Sequence, residues 1–412
     1  MKTLKTLLST IILVALPSIV GAQQPIYYDQ WTAKIHTLPM PLICSDGTEV
    51  TTTAQWERLR RPELLRLFAE EEYGIFPTEK VKMKSRIVES SDDALGGIAK
   101  RRQIELTFSR KGIEHKALML VYLPAAVEKA PMFMALNFNG NHTISAEDAE
   151  IISTNDAARG ASESRWPLRK ILSAGYGLAT AHYYDFFPDD QLGCPQSIYR
   201  LFDGYEGWIR HGSQGGAIAA WSWGLSRMLD VLEKLPGADA SRVAVMGHSR
   251  LGKTALWAGA QDERFAVVIS NESGCGGAKL SRHLYMEVVG TINRTFPHWF
   301  CANFKKYNGD EYNMPFDQHE LIALMAPRPV YVAVANDDPW CDPYGSYLSA
   351  VYARSVYELY GFSGPSSLSM PGPGESIHER IGFHNRPGKH DVKDVDWDNY
   401  IAFADKWMKE NI

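Results

Sequence analysis

Ser249 is the main candidate for a catalytic nucleophile, because it follows a short apolar run and precedes a helical pattern. Residues 247–253 read Gly-His-Ser-Arg-Leu-Gly-Lys. A tight strand-to-helix turn around a serine lifts its Oγ above a sheet and directs the helix N-terminus towards a developing oxyanion. The common form of this turn has glycine two residues after the serine, whereas Leu251 stands there in this chain and Gly252 comes one residue later. The segment therefore predicts a nucleophilic serine in a variant of that turn.

Two cations lie in the first turn of the helix that follows the serine. Arg250 and Lys253 are three residues apart, so their side chains occupy adjoining faces of that helix. The helix dipole opposes each cation by roughly 0.3–1 kcal/mol, so helix stability alone would not select them. They indicate a site for an oxyanion or for an anionic or hydroxyl-rich acyl group. The alternative is that both extend into solvent beside acidic neighbours such as Asp262 or Glu263.

A serine nucleophile needs a base, and in α/β hydrolases the histidine is the last triad member along the chain. Three histidines, His378, His384 and His390, follow the apolar run 330–334, which we take as the last buried strand. His390 lies in a Pro-Gly-Lys-His-Asp loop that precedes the terminal helical pattern. Because this is where a catalytic histidine loop is expected, His390 is the predicted base and His378 is held in reserve.

Two carboxylates could complete a triad. Glu272 follows the apolar run 265–269, and Asp338 follows the run 330–335. Either side chain could accept a hydrogen bond from the Nδ1–H group of the imidazole and stabilise the imidazolium. The spacing does not choose between them, so both are predicted as candidate acids.

The rest of the chain supplies elements that could position these residues. Period-two alternation over 81–123 predicts antiparallel strands with one wetted face. Nearly continuous apolar runs then predict strands buried on both faces of a parallel sheet, over 132–138, 176–184, 243–246, 265–269 and 330–334. Helical spacing is found over 55–73, 215–235, 251–260, 320–325, 345–360 and 397–408. This alternation predicts an α/β fold whose ligands bind beyond the carboxyl ends of the parallel strands.

The N-terminus has the layout of a secretory signal. Lys2 and Lys5 precede an apolar run over 7–20, and small residues end at Ala22, where we expect cleavage. No later segment has about 18 uninterrupted apolar residues, and no cysteine directly follows the apolar run, so we expect no membrane anchor. The mature protein is expected to be secreted or periplasmic.

The mature chain, 23–412, is expected to be one catalytic domain with an N-terminal extension to about residue 75. A net charge of −5 gives no basic field for nucleic acid. Five cysteines form no CxxC pair and no Cys/His ligand set, so we expect no metal, no cofactor and zero to two disulfides. We expect a monomer.

Four segments together resemble the bacterial glucuronoyl esterases of carbohydrate esterase family 15, over most of residues 50–412. They read GHSRLGKTAL at 247–256, NESGCGG at 271–277, DPWCDP at 338–343 and GKHD at 388–391. The resemblance implies an α/β-hydrolase fold, a three-layer sandwich with a mostly parallel central sheet and antiparallel N-terminal strands. It also implies hydrolysis of the ester between glucuronic acid, or its 4-O-methyl form, on xylan and an alcohol of lignin.

Carried over by position, the resemblance implies that Ser249 is the nucleophile and His390 the base. Glu272 matches the usual acid position of the family and Asp338 the alternative acid position of its bacterial members. The resemblance further implies a substrate-contacting set, in which Arg250 steadies the oxyanion, Lys253 and Glu287 bind sugar hydroxyls and Trp340 lies beside the uronate ring. We expect a second oxyanion donor from the loop 139–141.

Two other functions would use the same scaffold. An acetyl xylan or feruloyl esterase would share the triad but would not need Arg250 and Lys253 against an acyl sugar. A non-catalytic carbohydrate-binding protein would require an incomplete triad, whereas every member has a candidate in this chain.

Overall fold

The computed structural model describes residues 26–31, 33, 37–205, 207 and 211–409. The predicted signal peptide, 1–22, lies outside the described residues. Within the described ranges, no helix combines the length and the apolar character needed to cross a bilayer.

Among the described residues, ten strands form one mixed sheet: β1 Lys82–Asp93, β2 Ala99–Arg110, β3 Ile113–Pro124, β4 Ala130–Asn137, β5 Gly177–His182, β6 Ala238–His248, β7 Val267–Asn271, β8 Val330–Ala335, β9 Ser376–His378 and β10 Ile381–Arg386. Their order across the sheet is β1-β2-β3-β5-β4-β6-β7-β8-β10-β9. The strands β1, β2, β3 and β5 pair antiparallel in that order, whereas β5, β4, β6, β7, β8 and β10 pair parallel. Antiparallel N-terminal strands beside a mostly parallel sheet are therefore confirmed.

The described α-helices are α1 Thr53–Gln55, α2 Arg61–Phe68, α3 Ala94–Gly97, α4 Leu168–Ser173, α5 Ala217–Leu232, α6 Arg250–Gln261, α7 Val289–Thr295, α8 Gln318–Ala323, α9 Pro343–Leu359 and α10 Asp394–Ala404. Two π-helical turns, Trp56–Arg60 and Ala69–Tyr73, join α1 and α2 into one helix over 53–73, which confirms the prediction for 55–73. The helices predicted over 215–235, 251–260, 320–325 and 345–360 are confirmed as α5, α6, α8 and α9. A further π-helical turn, Asp405–Lys409, extends α10 and confirms the terminal helix.

The central strands are apolar on both faces because their side chains alternate between two cores. In β6, Val243 and Val245 pack in the core that contains residues of α5, α6, α8 and α9. Ala244 and Met246 pack in the opposite core, with residues of α4 and α10. Helices therefore cover both faces, which gives the three layers of an α/β hydrolase.

The prediction that the run 330–334 is the last buried strand is wrong, because β9 and β10 follow it. Strand β10 reads Ile-Gly-Phe-His-Asn-Arg and is buried throughout. His384 Nε2 and Arg386 Nε lie 2.7 and 3.0 Å from the two carboxylate oxygens of Asp396 in α10. These partners allow polar side chains inside the sheet, and the resulting composition conceals the strand from a hydrophobic pattern.

All five cysteines belong to the described residues, and each is a buried free thiol. The expected range of zero to two disulfides therefore resolves to its lower limit. The fold is held by packing and polar contacts without covalent cross-links between these residues.

Candidate active site

Four predicted site residues meet at one edge of the sheet. Ser249 follows β6 and Glu272 follows β7. Asp338 lies in the loop after β8, and His390 lies in the loop after β10. Because β6, β7, β8 and β10 are neighbours in this order, both carboxylates lie between the serine strand and the histidine strand.

Ser249 lies in a strained turn between β6 and α6, with φ 56° and ψ −126°. Its N–H donates to the carbonyl of Asn271 at 2.9 Å and so ties the turn to the end of β7. A side chain at Gly247 is excluded, because its Cβ would lie 1.8 Å from the carbonyl oxygen of Leu251. A Cβ at Gly252 would lie 3.1 Å from the carbonyl oxygen of Asn271, so the displaced glycine permits close packing against β7. The variant sequence therefore still forms a turn that exposes a serine.

The imidazole of His390 lies between the two carboxylates. Its Nδ1 is 2.6 Å from Asp338 Oδ2 and 3.1 Å from Glu272 Oε2. Its ring packs against that of His248, with 4.5 Å between centroids. Ser249 lines the same pocket as His390, although no hydrogen bond joins the two side chains among the described residues. In free hydrolases this contact often tightens only when substrate binds.

The two carboxylates have different surroundings. Glu272 is buried, and its oxygens accept from Arg386 Nη2 at 2.5 Å and from the Asp391 N–H at 3.0 Å. Burial raises the pKa of Glu272 to about 7. Burial would also raise the pKa of Asp338, but the hydrogen bond to His390 and the charge of that imidazole outweigh it and hold the pKa below its usual range. Asp338 is therefore the ionised partner of His390 near neutral pH.

The same contacts act on the histidine. Burial would lower the pKa of His390, but hydrogen bonds to Asp338 and Glu272 outweigh it and raise that pKa to about 9. A pair of carboxylates beside Nδ1 thus stabilises the imidazolium, which is the state that forms when a histidine accepts a serine proton.

One pocket, with about 660 Å³ of open space, is lined by all eight residues that the family resemblance implies for the site. It is lined by Ser249, Arg250, Lys253, Glu272, Glu287, Asp338, Trp340 and His390, together with Ser273, Phe296, Trp299 and Cys341. Trp340 lies on its rim, with 52% of its surface exposed. The last four lining residues were not predicted, because aromatic, serine and cysteine side chains in loops carry no periodic signal.

Lys253 is buried below the pocket. Its Nζ donates to the carbonyl of Ser273, in a short contact, and to the carbonyl of Cys275 at 2.7 Å. An ammonium has three N–H groups, so one of them remains for another acceptor. Burial raises the pKa of the neighbouring Glu287, and the charges of Lys253 and Lys279 oppose that rise. An N–H donor of Lys253 and the carboxyl group of Glu287 therefore line one wall of the pocket.

Arg250 forms a short ion pair with Asp189, which sequence analysis missed. The alternative pairing with Asp262 or Glu263 is wrong, because Asp262 and Glu263 pair with Arg264 and Arg61 instead. Its guanidinium carbon also lies 4.7 Å from the Trp299 ring centroid and 5.5 Å from that of Phe296, while Phe138 flanks it at 5.6 Å. The sequence signal for Asp189 was its position, since it is a polar residue in the loop after a predicted buried strand.

Two further expectations find no support at the pocket. The N–H of Gly140 donates to Asn137 Oδ1 at 2.8 Å, and Asn141 Nδ2 donates to the Leu118 carbonyl at 2.8 Å. The loop 139–141 does not line the pocket. His378, the reserve base, lies 3.1 Å from Asn399 Oδ1 and is likewise outside it.

Two sets of three side chains have ligand atoms within 4.8 Å of one another, as a metal ion would require: His248 with Glu272 and His390, and Asp338 with Cys341 and His390. Both sets contain the proposed base. Cys341 Sγ donates a hydrogen bond to the Glu272 carbonyl at 2.9 Å, so this thiol already has a partner within the protein.

Comparison with known proteins gives consistent similarities. The model of the fungal glucuronyl esterase family matches residues 199–361. The chain is similar to a promiscuous esterase of carbohydrate esterase family 15 from a marine bacterial metagenome, with 43% identity, a TM-score of 0.86, and coverage of 93% of this chain and 100% of that one. It is also similar to a glucuronoyl esterase from Solibacter usitatus, with 43% identity, a TM-score of 0.85, and coverage of 91% of this chain and 98% of that one.

A more distant similarity extends to fungi. A 4-O-methyl-glucuronoyl methylesterase of Schizophyllum commune is 29% identical over 79% of this chain and 74% of its own length. The fold, the pocket and the sequence matches therefore point to the same group of proteins.

Proposed function

Since this chain belongs to the glucuronoyl esterases of carbohydrate esterase family 15, we propose that it cleaves esters that join glucuronic acid, or its 4-O-methyl form, on xylan to lignin alcohols. The chain is a carboxylic ester hydrolase. The observation that carries the proposal is the placement of a serine turn, an imidazole with two carboxylates and two cations around one pocket. Such a pocket can bind a polar acyl group while it activates a hydroxyl nucleophile.

Ser249 Oγ attacks the ester carbonyl carbon in this proposal. His390 Nδ1 faces the carboxylates, so its Nε2 is the nitrogen that accepts the serine proton. The same nitrogen then protonates the departing alcohol. Water, activated by His390, releases the uronic acid from the acyl-enzyme in the second half of the reaction.

Charge on the carbonyl oxygen develops close to the start of α6. The backbone N–H of Arg250, directly after the nucleophile, and the guanidinium of the same residue are the proposed donors to the oxyanion. Asp338 is the proposed acid on Nδ1, since it makes the shorter contact with His390. Glu272, at 3.1 Å from the same nitrogen, is the proposed secondary acid.

The sugar is proposed to lie against the wall of the pocket that Lys253 and Glu287 line. The free N–H of Lys253 and the carboxyl group of Glu287 are suited to hydroxyl groups, and the exposed face of Trp340 is suited to stacking on a sugar ring. In this proposal these contacts bind the sugar ring of the acyl group.

The experiment measures hydrolysis of benzyl and methyl glucuronate by the mature protein, with an acetyl ester and Ser249→Ala as controls. We expect uronate-ester turnover that falls to a small residual rate in Ser249→Ala, while sugar binding persists. Turnover retained by that variant would remove Ser249 from the nucleophile position, and uronate esters left uncleaved by the wild-type protein would refute the substrate.

A second candidate activity is hydrolysis of acetyl esters of xylan. It is favoured by one observation, the similarity to a solved esterase described as promiscuous. Acetyl-ester turnover that exceeds uronate-ester turnover would favour this activity, since an acetyl group uses neither Lys253 nor Glu287.

Residues 23–412 are proposed to act as one secreted or periplasmic catalytic domain, monomeric and without a cofactor, after removal of the signal peptide. Size-exclusion chromatography with light scattering and N-terminal sequencing of the exported protein test this. A mature chain that begins elsewhere than Gln23, or a dimer, would contradict it.

A further inference from the structure

Asp189 is the centre of a hydrogen-bond cluster behind Arg250. It lies in the loop after β5, at the same edge of the sheet as the serine. Its Oδ2 accepts from Arg250 Nη1 in a short ion pair and from the Tyr183 hydroxyl at 3.0 Å. Its Oδ1 accepts from Trp299 Nε1 at 2.7 Å and lies 2.8 Å from His298 Nε2. Each oxygen therefore has two partners, and a rotation of the carboxylate would break several contacts at once.

The other side of the Arg250 guanidinium is enclosed by aromatic rings. Phe296 and Trp299 stack with 3.7 Å between centroids and an interplanar angle of 1°, and both line the active-site pocket. Arg250 Nε is buried and has no hydrogen-bond partner among the described residues. The ion pair with Asp189 is therefore the polar contact that fixes the direction of the guanidinium.

A cation in the first turn of α6 also needs compensation. The positive end of the helix dipole opposes Arg250, and a nearby anion offsets that repulsion. Asp189 supplies that anion in ionised form: burial would raise its pKa, but the hydrogen bond from His298 and the charge of Arg250 outweigh it and lower the pKa to about 2.

Building on the proposed function, we infer that Asp189 is a positioning residue, which holds the Arg250 guanidinium in the direction where it meets the oxyanion. Asp189 itself does not line the pocket. It acts through Arg250, and a merely structural ion pair would leave the rate per folded molecule unchanged.

The first test is Asp189→Asn, which keeps the shape and one oxygen acceptor but removes the charge opposite Arg250. We expect kcat on benzyl glucuronate to fall roughly 10- to 100-fold with little change in KM, because a misplaced stabilising group is felt mainly in the transition state. An unchanged kcat per folded molecule would overturn the inference.

A double-mutant cycle identifies the residue through which Asp189 acts. Arg250→Ala should lower kcat/KM about 100-fold. Asp189→Asn should add almost nothing in that background, because the group that it positions is already absent. Independent, multiplying losses would overturn the inference, since Asp189 would then act without Arg250.

Asp148 offers a matched control, because it lies in a loop and its partners are on the antiparallel strands β2 and β3. It pairs with Arg101 at 2.5 Å and accepts from the Tyr122 hydroxyl, as Asp189 pairs with Arg250 and accepts from Tyr183. Asp148→Asn should reduce stability but leave kcat and KM of the folded fraction unchanged.

If Asp189→Asn does not fold, Tyr183→Phe gives the decisive measurement. It removes one donor to Asp189 and should lower kcat about threefold, with KM unchanged. An unchanged kcat would then overturn the inference. Wild-type turnover of benzyl glucuronate, measured in parallel, separates failure of this inference from failure of the proposed function.

Discussion

The solvent face of the antiparallel strands and the carboxyl edge of the parallel strands both carry paired charges, but in different environments. On the solvent face, Glu105 of β2 pairs with Arg86 of β1 and Lys116 of β3, each at 3.1 Å. The two cations are 70% and 55% exposed. At the carboxyl edge, Glu272 and Arg386 pair with 0% and 2% exposure.

The difference shows where charge controls the chemistry. Water screens exposed pairs, so each contributes little to stability and none fixes a geometry. A buried group that loses its partner stays desolvated, so its protonation state and orientation depend on that partner. The edge therefore sets the pKa of His390 and the direction of Arg250, whereas the solvent face keeps the outer strands hydrated.

The sharpest way to break this comparison is to remove both carboxylates beside His390. Glu272→Gln combined with Asp338→Asn should lower kcat about 10,000-fold, because nothing would then stabilise the imidazolium. Steady-state kinetics on benzyl glucuronate measures this loss. Asp338→Asn alone should cost about 100-fold, since Glu272 Oε2 remains 3.1 Å from the same nitrogen. A double variant close to wild-type activity would show that neither carboxylate serves the base.

The backbone turn that holds Ser249 at this edge is also expected to be sensitive to substitution. Gly247→Ala should lower the free energy of unfolding by about 3 kcal/mol, because the new Cβ would press on the Leu251 carbonyl. Urea denaturation measures the change. Gly372→Ala is the control, since its Cβ would meet nothing closer than 3.5 Å. Equal stability of the two variants would mean that the serine turn is not strained by its packing.

The pH profile distinguishes electrostatic control from simple packing. Neutral His390 is the base, so kcat/KM should rise with pH through the pKa of about 9. Glu272→Gln removes one charge that raises this pKa, so the rising limb should move to lower pH. A profile that is unchanged in Glu272→Gln would show that this carboxylate does not act on the histidine.

The smallest effect is expected on the solvent face. Glu105→Gln should change the free energy of unfolding by less than about 0.5 kcal/mol and leave kcat/KM unaltered. Thermal denaturation and the same kinetic assay test it together. A large loss of either quantity would erase the contrast between the two regions.

Sequence patterns predicted what depends on periodicity. Apolar runs located β4 to β8 because strands buried on both faces need continuous apolar side chains. The helix over 53–73 followed from spacing, with Trp56, Leu64 and Phe68 on its buried face. Ser249 was predicted because a strand, a small residue and a helix meet there. These are local signals, readable without knowing which strands become neighbours.

What depends on distant pairing was not predictable in the same way. Strand β10 was missed because His384 and Arg386 are buried beside polar partners from distant segments, Asp396 for both and Glu272 for Arg386. The approach of both candidate acids to His390 depends on the sheet order, which brings the ends of β7, β8 and β10 together. Asp189 was missed because its partners, Arg250, His298 and Trp299, come from segments 61 to 110 residues further along the chain.

The five buried thiols have a consequence for how the molecule responds to its redox environment. Burial limits the access of oxidants to Cys44, Cys194, Cys275 and Cys301 in the native state, whereas Cys341 lines the active-site pocket. Burial also raises the pKa of Cys275 and Cys341, which disfavours the reactive thiolate. Oxidants can therefore reach the four cysteines outside the pocket mainly while the chain is unfolded. These thiols are therefore most open to oxidation during folding, before they are buried. A chain that folds quickly matures without any need for thiol–disulfide exchange.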